Sequence, residues 1–461
     1  MKKLLITLIT LALLVTALVS CTESEPKPAE AYVNGTHLSG YTVVYSEDEP
    51  DYNKRAAEYI AAAIKERCAI DVQIVTDKTA AAEHEIVVGE ANRTISDKLD
   101  ALCEGVEFAY LADGGSIALE GDYFVIAAAA YYFVDTYVKW GDFESAVPEV
   151  VTVAEPIVKE AKNFIVMIGD GMGVNQTLLF DYMENIVEYS DGEDGFYGYY
   201  LPYIGTSRTQ SLSGITDSAA GGTALATGHK TYNEYIGRDK DGNDVKSLTE
   251  LAASLGKATA VMSTENNTGA TPASFSAHAN DRDSSSVINQ SQLVTRQQYG
   301  TVIDCGYDYY TSKMLATIER HITDTLSKVS ADEDGFFLMY EEAHIDKHCH
   351  SNDINKTFQA VVRFNQAIGR MMEYTFYNPD TFLLITADHE TGDLYEGEDG
   401  KLAYHSDDHT AKDVLVFAYG DGAELFDGVS VENIQIAHTI ASFMGVTDFG
   451  DQSEYSYLGK E

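Results

Sequence analysis

The chain has 461 residues, and its 45% hydrophobic content is too high for a disordered chain and sufficient for two or three folded domains. Asp and Glu number 73 against 31 Lys and Arg, which gives a net charge of −42. A field of that sign repels nucleic acids and anionic membrane surfaces, so we expect no nucleic-acid partner, and an anionic substrate would need local positive charge such as bound metal ions supply.

Residues 1–21 are typical of an export signal. Lys2 and Lys3 precede the apolar run "LLITLITLALLVTALVS", which indicates a signal peptide rather than a lasting membrane span. The segment "LVSC" resembles the bacterial lipoprotein cleavage box, which implies cleavage before Cys21 and attachment of lipid to its thiol; the alternative is an ordinary signal peptide with an incidental cysteine. Residues 22–31, "TESEPKPAEA", form a polar tether. We therefore expect an exported protein, lipid-anchored to the outer face of the bacterial cell membrane.

Residues 32–155 have the pattern of a small α/β accessory domain. The runs "YTVVYS", "DVQIVTD" and "EIVVGE" predict strands, and "DYNKRAAEYIAAAIKERC" predicts a helix. A hairpin is predicted in "FAYLADGGSIALEGD", and an apolar helix in "YFVIAAAAYYFVDTYV". No metal ligands gather here, which favours a spacer or docking module over an enzyme. The pattern resembles small domains that precede catalytic domains in some secreted carbohydrate-active enzymes.

Residues 156–461 contain several buried-strand patterns that end in polar residues able to bind metal. Separated by helical segments, such apolar runs predict a doubly wound, mostly parallel α/β sheet sandwiched by helices. Ligands bind at the carboxyl ends of the strands in such sheets, so the ends point to one site. The runs are "NFIVMIGDG" with Asp170, "ATAVMSTENNTGATP" with Thr271, "GFFLMYEEAHIDKHCH" with Glu341, Asp346 and His350, and "TFLLITADHETGD" with Asp388 and His389.

The stretch "GITDSAAGGTALATG", from Gly214 to Gly228, surrounds Ser218 with small residues. One interpretation is a buried helix that packs closely against a neighbour. The other is a nucleophile at a helix N-terminus, kept clear for a substrate. Taken alone, the stretch favours the first interpretation.

The residue types near the predicted strand ends suit metal ions. Asp346 and His350 are four residues apart, so a helix would place both on one face. Asp388 and His389 are adjacent and could share an ion only on an irregular turn, while His409 in "SDDHTAKD" adds an imidazole. Mixed imidazole and carboxylate sets suit zinc, and there are enough of these groups for two such ions and a harder one bound by oxygen.

Six motifs in residues 161–445 together resemble the alkaline phosphatase family. They are, in family order, "GDGMG", "TDSAA", "ATPASFSAH…R", "E-x-A-x-I-D-x-x-x-H", "TADHETG" and "HT…V-x-V-x-A-x-G". A chance match to one motif is plausible, whereas a chance match to all six in order is not. The resemblance implies the family's α/β sandwich and hydrolysis of small phosphomonoesters, and it allows a homodimer.

The resemblance also implies a role for each matching residue. Ser218 matches the nucleophile that becomes phosphorylated, Arg282 the phosphate-clamping arginine, and Lys347 a lysine that contacts phosphate through water in some bacterial members. Two Zn²⁺ and one Mg²⁺ are implied: the first zinc with Asp346, His350 and His409, the second with Asp170, Asp388 and His389, and the magnesium with Asp170, Thr271 and Glu341. Gly269 departs from the family, which has Asp or His there to order the water shell of the magnesium. This departure predicts a weak or watery third site.

Two alternatives remain open. A related metal hydrolase would act on phosphodiesters, phosphonates or sulfate esters; such relatives match at the zinc sites but generally lack the third-metal pattern of Thr271 and Glu341. A cell-surface glycan-binding protein with an inactive hydrolase domain would use residues 32–155 to bind sugar. The four cysteines beyond Cys21 form no C-x-x-C pair, and their pairing is also open.

Overall fold

The computed structural model describes residues 31–48, 51–99, 102–138, 143–180, 195–306, 314–398 and 400–459. The predicted signal peptide, Cys21 and almost all of the tether lie outside these residues. Among the helices described, none combines the length and apolar character that crossing a membrane requires. The cysteines at 68, 103, 305 and 349 are free thiols.

The first part of the chain builds a six-stranded sheet in the order β4-β3-β5-β7-β6-β9, beside a three-stranded sheet in the order β2-β1-β8. Strands β4, β3, β5 and β7 are mutually parallel, whereas β6 pairs antiparallel with β7 and β9. The strands are β1 (Ala31–Val33), β2 (Thr36–His37), β3 (Thr42–Tyr45), β4 (Gln73–Thr76), β5 (Glu85–Val88), β6 (Phe108–Asp113), β7 (Ser116–Glu120), β8 (Phe143–Ser145) and β9 (Thr152–Ala154).

The predicted elements of this part are confirmed. Helix α1 (Asp51–Cys68) covers the predicted segment, and it buries a stripe of small and branched apolar residues against the sheet. The β6–β7 hairpin turns through Gly114 and Gly115, whose φ angles of 59° and 91° favour glycine. Helix α2 (Ile126–Phe133) is apolar on nearly every side because it is enclosed between α1, the sheet and the second part of the chain.

The second part of the chain builds an eight-stranded sheet in the order β13-β12-β14-β10-β15-β20-β11-β21. The five strands from β13 to β15 are parallel, and β20 pairs antiparallel with both of its neighbours. The strands are β10 (Asn163–Gly169), β11 (Tyr203–Arg208), β12 (Ala258–Ser263), β13 (Val302–Cys305), β14 (Phe336–Glu342), β15 (Thr381–Thr386), β20 (Val414–Tyr419) and β21 (Ser430–Glu432). Outside this sheet, β16 (Glu390–Thr391) pairs with β19 (His409–Thr410), and β17 (Leu394–Glu396) pairs with β18 (Leu402–Tyr404).

Helices cover both faces of this sheet, so the predicted doubly wound α/β sandwich is confirmed. Phe164, Val166 and Ile168 of β10 face one apolar core, and the alternate residues Ile165 and Met167 face another. Burial on both faces explains why these strands are continuous apolar runs. The helices are α3 (Val174–Thr177), α4 (Ser218–Thr227), α5 (Leu248–Ser254), α6 (Ala270–Ser274), α7 (Ser285–Tyr299), α8 (Met314–Val329), α9 (His344–His350), α10 (Ile354–Tyr377) and α11 (Asn433–Phe443).

The C-terminal segment differs in part from the sequence interpretation. A single amphipathic helix is predicted over "SVENIQIAHTIASFMGV", but Ser430–Glu432 form β21, which pairs in parallel with β11. Helix α11 begins after Glu432, where the Glu432 and Gln435 side chains form a reciprocal cap. The β-branched Val431 fits the sheet edge, and the capping pair fixes where the helix starts.

The two parts of the chain share one hydrophobic core. The Phe124 ring lies 4.9 Å from the Tyr197 ring and 6.1 Å from the Phe376 ring of α10. At the edge of this contact, Arg55 Nε donates to Glu373 Oε1 across 2.7 Å. The predicted boundary between residues 155 and 156 lies in the connection between β9 and β10. The division into an accessory and a catalytic domain stays a prediction.

Candidate active site

The candidate site lies at one edge of the eight-stranded sheet, where neighbouring parallel strands end. The order β12-β14-β10-β15 brings four carboxyl ends side by side. Asp170 directly follows β10, Asp388 and His389 follow β15, and Glu341 is the next-to-last residue of β14. This is the convergence expected at the carboxyl ends of an open α/β sheet.

One group of possible metal ligands contains Asp346, His350 and His409, as the sequence predicts. Helix α9 places Asp346 and His350 one turn apart, so that His350 Nε2 lies 3.4 Å from Asp346 Oδ1. Nε2 of His409 lies 3.5 Å from the same oxygen and 3.1 Å from His350 Nε2. These ligand atoms all lie within 4.8 Å of one another, close enough to bind a single ion.

The outer nitrogens of these two histidines fix their tautomers. Nδ1 of His350 lies 2.6 Å from the Asp407 carbonyl oxygen, and Nδ1 of His409 lies 2.8 Å from the Thr216 carbonyl oxygen. A carbonyl can only accept, so each Nδ1 carries the proton and donates it. In the neutral form of each imidazole the lone pair is therefore on Nε2, which faces Asp346, and this is the orientation a metal-binding histidine needs.

A second group surrounds His389, which is fully buried. Its Nε2 lies 3.4 Å from Asp388 Oδ2 and 3.5 Å from Asp170 Oδ1, so the predicted set of three comes together. Asp346 also lies within 4.8 Å of the Asp170 and His389 ligand atoms. The sequence interpretation assigned Asp346 to one ion only, whereas the structure places it between the two groups. The rings of His389 and His409 stack with their centroids 3.7 Å apart.

Ser218 is the first residue of α4, and its hydroxyl faces the second group. The Asp217 side chain caps the helix by accepting from the Ala220 N–H across 2.9 Å. Ser218 Oγ lies 3.2 Å from His389 Nε2. A helix N-terminus stabilises negative charge, so this position suits a nucleophile that receives an anionic group.

The small residues after Ser218 allow α4 to approach the site. A Cβ on Gly221 would lie 3.0 Å from the Asp388 carbonyl oxygen, and a Cβ on Gly222 would lie 3.1 Å from Ser274 Oγ. Helix α4 is therefore both a closely packed buried helix and the support of a serine whose hydroxyl faces the ligand groups. The two interpretations of this stretch are compatible.

The oxygen-only group contains Thr271 from α6, Glu341 and Asp170. All three are buried, and Thr271 Oγ1, Glu341 Oε1 and Asp170 Oδ1 make no hydrogen bond. A buried polar atom without a partner costs free energy, so such atoms need an explanation. A cation bound at this edge of the sheet would satisfy them.

Arg282 and Lys347 bring positive charge to the rim of the site. Arg282 Nη1 lies 3.2 Å from Asp217 Oδ2, next to the nucleophile candidate. The Lys347 ammonium, on α9, forms an ion pair with Glu265. Both side chains are partly exposed, so each can still reach a ligand arriving from solvent.

The buried acids repel one another. Burial, and after it the charges of Asp388 and Asp346, raises the pKa of Asp170 well above its usual range. Burial and then Asp346 raise the pKa of Asp388 to about 6. Burial, followed by the His409 charge, lowers the pKa of His389 to about 3. Positive charge in the site would stabilise the ionised carboxylates and keep His389 neutral.

Sequence reasoning missed two residues that contact this constellation. Thr391 donates to Asp346 Oδ1 across 2.6 Å, and its oxygen lies 3.2 Å from His389 Nδ1. Glu265 follows β12 closely and pairs with Lys347. Their signal was present in the sequence, because each follows a buried strand run by only a few residues.

Known proteins resemble this chain in sequence. The family model described as alkaline phosphatase matches residues 161–305 and 307–403. Alkaline phosphatase 3 of Bacillus subtilis (strain 168) is 28% identical over 355 residues, covering 64% of this chain and 76% of that protein. Alkaline phosphatase of Escherichia coli (strain K12) is 24% identical over 404 residues, covering 66% and 86%.

Solved structures of alkaline phosphatases are similar to this chain in fold. The alkaline phosphatase from the Antarctic bacterium TAB5 superposes with a TM-score of 0.54 at 26% identity, covering 63% of this chain and 99% of that one. A histidine-to-glutamate variant of the TAB5 enzyme with Mg bound in its M3 site has the same TM-score, identity and coverage. The family match begins at residue 161, after the six-stranded sheet.

Proposed function

The chain belongs to the alkaline phosphatase family, and from that premise we propose that it hydrolyses phosphate monoesters through a phosphoserine intermediate on Ser218, releasing inorganic phosphate. Family membership makes it a metal-dependent phosphoester hydrolase that acts on small phosphate esters. The observation that carries the proposal is the Ser218 hydroxyl at the N-terminus of α4, 3.2 Å from His389 Nε2 and beside two groups of possible metal ligands.

The donor chemistry fits two zinc ions and one magnesium ion. The histidine-containing groups are mixed imidazole and carboxylate sets, which zinc prefers, and they would hold one zinc each: Asp346, His350 and His409; Asp170, Asp388 and His389. Thr271, Glu341 and Asp170 offer only oxygen, which magnesium prefers, and the unpartnered oxygens support this assignment. When bound, these ions supply Lewis-acid stabilisation of alkoxide and phosphoryl oxygens. Magnesium in the M3 site of a TAB5 variant is consistent with the proposal.

In the proposed first step, Ser218 Oγ attacks the phosphorus of the monoester, the bond between phosphorus and the alcohol oxygen breaks, and the proton lost by Ser218 ends on the departing alcohol. The Thr391 hydroxyl donates to Asp346, so its oxygen accepts from His389 Nδ1–H. His389 Nε2 therefore carries the lone pair with which it would hold metal, and this nitrogen faces Ser218 Oγ. The N-terminus of α4 stabilises the negative charge of the serine oxygen and later of its phosphate. In the second step water attacks the phosphoserine, the Oγ–P bond breaks and Ser218 regains its proton.

Arg282 and Lys347 are proposed to bind the phosphoryl group. The Arg282 guanidinium can donate two parallel hydrogen bonds to phosphoryl oxygens. Asp217 holds Arg282 while also capping α4, which ties the arginine to the same helix that carries Ser218. The Lys347 ammonium lies near Glu265, Glu341 and Asp170 and would reach phosphate through water.

Monoesters are the proposed substrates because Arg282 and the oxygen-only group favour a doubly charged phosphoryl group. A phosphodiester or a sulfate ester carries only one negative charge on the transferred group and gains less from these contacts. The alternative of an inactive glycan-binding protein requires a damaged site, whereas every predicted ligand lies in one of the three groups. A glycan array run beside the phosphatase assay distinguishes that alternative.

The test compares Ser218→Ala with Ser213→Ala, a matched control in the exposed part of the preceding loop. We expect Ser218→Ala to lose on the order of 10³-fold or more in kcat for a chromogenic monoester while retaining its zinc content and fold. Radiolabelled phosphoserine trapped at acidic pH should appear in the wild type and in Ser213→Ala only. Phosphoenzyme in Ser218→Ala, or faster turnover of a diester or sulfate ester by the wild type, would contradict the assignment.

We further propose that the protein is exported and lipid-anchored through Cys21; the sequence pattern of residues 1–21 supports this. Incorporation of labelled fatty acid should require Cys21 and disappear in Cys21→Ser, with the protein then released from the membrane fraction. A homodimer is proposed from family resemblance, and light scattering of the purified chain tests it.

A further inference from the structure

Glu265 fills the space where a side chain at position 269 would begin. A Cβ placed on Gly269 would overlap the Glu265 carboxylate at Oε1 and Cδ and would lie 2.7 Å from its Cγ. No atom could occupy that space while the glutamate holds this conformation. Gly269 is two residues before Thr271, which belongs to the oxygen-only group.

The loop after β12 fixes Glu265 in this position. The Glu265 N–H donates to Ser263 Oγ across 3.0 Å, and the same hydroxyl donates to Glu341 Oε2. The Gly269 N–H donates to the Asn266 carbonyl across 2.9 Å, closing a turn that brings Gly269 beneath the Glu265 carboxylate. One serine hydroxyl thus connects Glu265 to a member of the oxygen-only group.

The charge of Glu265 acts on that group. Its side chain is 16% exposed, and its carboxylate is, after burial itself, the main influence that raises the pKa of Glu341. It also contributes to the raised pKa of Asp170. Three buried oxygens beside it lack hydrogen bonds: Asp170 Oδ1, Thr271 Oγ1 and Glu341 Oε1. The carboxylate and these oxygens are chemically suited to a hard divalent cation.

We propose that Glu265 supplies, from a different backbone position, the acidic group that the third metal site lacks at Gly269, so that Asp170, Thr271, Glu341 and Glu265 together hold magnesium. The inference rests on the proposed function for the identity of the site. The glycine is then a requirement of the site, because any side chain at 269 would displace the glutamate. The expectation of a weak third site is replaced by one in which Glu265 strengthens it.

The ion pair with Lys347 follows from the same arrangement. The Lys347 ammonium contacts Glu265 and lies near Glu341 and Asp170, so it partly neutralises the carboxylates. Magnesium and the ammonium compete for the negative charge of Glu265. Removal of the lysine charge should therefore tighten magnesium binding or leave it unchanged, whereas removal of the glutamate charge should weaken it.

The experiment measures magnesium binding to the zinc-loaded full chain by calorimetry, with Mn²⁺ as a spectroscopic probe of the same site. We expect Glu265→Gln and Glu265→Ala to bind magnesium at least tenfold more weakly, with zinc content unchanged. The matched control is Glu333→Gln, an exposed glutamate before the opposite end of β14, which should bind as the wild type does. Thermal melting confirms that each variant is folded. If Glu265→Ala does not fold, the isosteric Glu265→Gln variant still tests the proposal.

A rescue variant tests the geometry. In the wild-type background Gly269→Asp should weaken magnesium binding, because its side chain displaces Glu265. In the Glu265→Ala background the same substitution should restore binding to within about threefold of wild type, because the space is then open. Equal magnesium affinity in wild type, Glu265→Gln and Glu265→Ala would overturn the inference. Equal weakening by Lys347→Met and Glu265→Gln would also overturn it, since the pair would then act only as a structural contact.

The outcomes separate this inference from the proposed function. If the chain binds magnesium in a way that depends on Glu265 but has no phosphatase turnover, the inference about Glu265 stands and the proposed reaction is contradicted. Phosphatase turnover with magnesium binding that is indifferent to Glu265 would defeat the inference alone.

Discussion

Asp346 is the carboxylate that connects the two histidine-containing groups. Its Oδ1 lies near Nε2 of His350 and of His409, and it accepts a hydrogen bond from Thr391. Burial raises the pKa of Asp346, but hydrogen bonds from protonated His350 and His409 and the charges of nearby histidines outweigh it and hold the pKa well below its usual range. The aspartate therefore stays ionised, as a metal ligand must be.

Thr391 should control how well this aspartate and His389 bind metal. Thr391→Val removes the hydroxyl that orients both groups but keeps the shape of the side chain, so we expect zinc affinity to fall about 10- to 100-fold. Zinc loss is measured against a competing chelator. Thr391→Ser should restore most of the affinity because it returns the hydroxyl. Unchanged zinc retention in Thr391→Val would show that Asp346 and His389 need no such support.

His278 and Glu250 form a pair, 3.2 Å apart and mostly buried, whose contribution to stability depends on pH. Burial lowers the pKa of His278, but the hydrogen bond and charge of Glu250 outweigh it and raise the pKa above 6.5. Burial raises the pKa of Glu250, but His278 outweighs it and lowers the pKa below 4.5. The histidine's contribution is full below pH 6.5 and is lost as pH rises through its raised pKa, while the glutamate's is lost as pH falls through its lowered pKa.

His278→Gln should therefore cost more stability near neutral and mildly acidic pH than at alkaline pH. We expect a loss of about 1 kcal/mol in the free energy of unfolding at about pH 6, shrinking toward about pH 9. Denaturant unfolding at both pH values measures it. His405→Gln, at an exposed pair with Asp393, serves as the control and should show a smaller loss. A pH-independent loss in His278→Gln would point to packing rather than charge.

At the scale of elements, α4 positions Ser218 because its small residues let the helix approach the turn after β15. A Cβ on Gly221 would already lie 3.2 Å from the Asp388 Cβ and 3.0 Å from its carbonyl oxygen. A larger side chain must push α4 away from Asp388. The spacing between the serine and its neighbouring carboxylates therefore depends on this contact.

Gly221→Val should displace Asp388 and lower both zinc affinity and phosphatase activity by about tenfold or more. The measurements are metal content after dialysis and turnover with zinc restored. Gly428→Ala provides a control, since no atom lies within 4 Å of its Cβ and its φ of 64° makes the change costly for stability alone. If Gly221→Val loses only stability, as Gly428→Ala should, then the close approach of α4 to Asp388 does not determine zinc affinity or activity.

The same elements show how far sequence reasoning extends. Asp346 and His350 could be placed together because a helical spacing of four is local, and Asp388 with His389 because a strand end precedes them. The place of Asp346 between both groups depends on how α9 docks against the turn after β15, which no local pattern encodes. Glu265 was missed because its proximity to Gly269 depends on the path of one turn. The strand β21 was missed because its pairing with β11 is remote in sequence.

For the whole molecule, the shared core links the first part of the chain, with its six-stranded sheet, to the second part, which carries the site. Phe124 is fully buried against Tyr197 and Phe376, so neither part of the chain buries its own apolar surface alone. The candidate ligands nevertheless all lie between residues 170 and 409. The first part of the chain therefore packs against α10 through α2 and the turn that contains Phe124, without contributing a candidate ligand.

A fragment of residues 156–461 should keep most of its turnover per zinc-loaded molecule but lose stability and solubility, because it exposes the apolar face of α10. We expect a lower melting temperature and dye binding to exposed apolar surface, both measured against the full chain. A folded, metal-loaded fragment without turnover would show that the first part of the chain helps to shape the site. A fragment as stable as the full chain would show that the shared core is dispensable.

The continuity of this core also constrains the order in which the chain can fold. Arg55 and Glu373 meet across 318 residues of sequence, so the docking face of the first part is synthesised long before its partner helix. Closing so large a loop is entropically costly, and contacts of such long range slow folding. Until α10 has been synthesised and packed, Phe124 and its neighbours have no native partner surface, and this exposed apolar surface can cause aggregation. Completion of the fold therefore waits for a segment near the end of the chain.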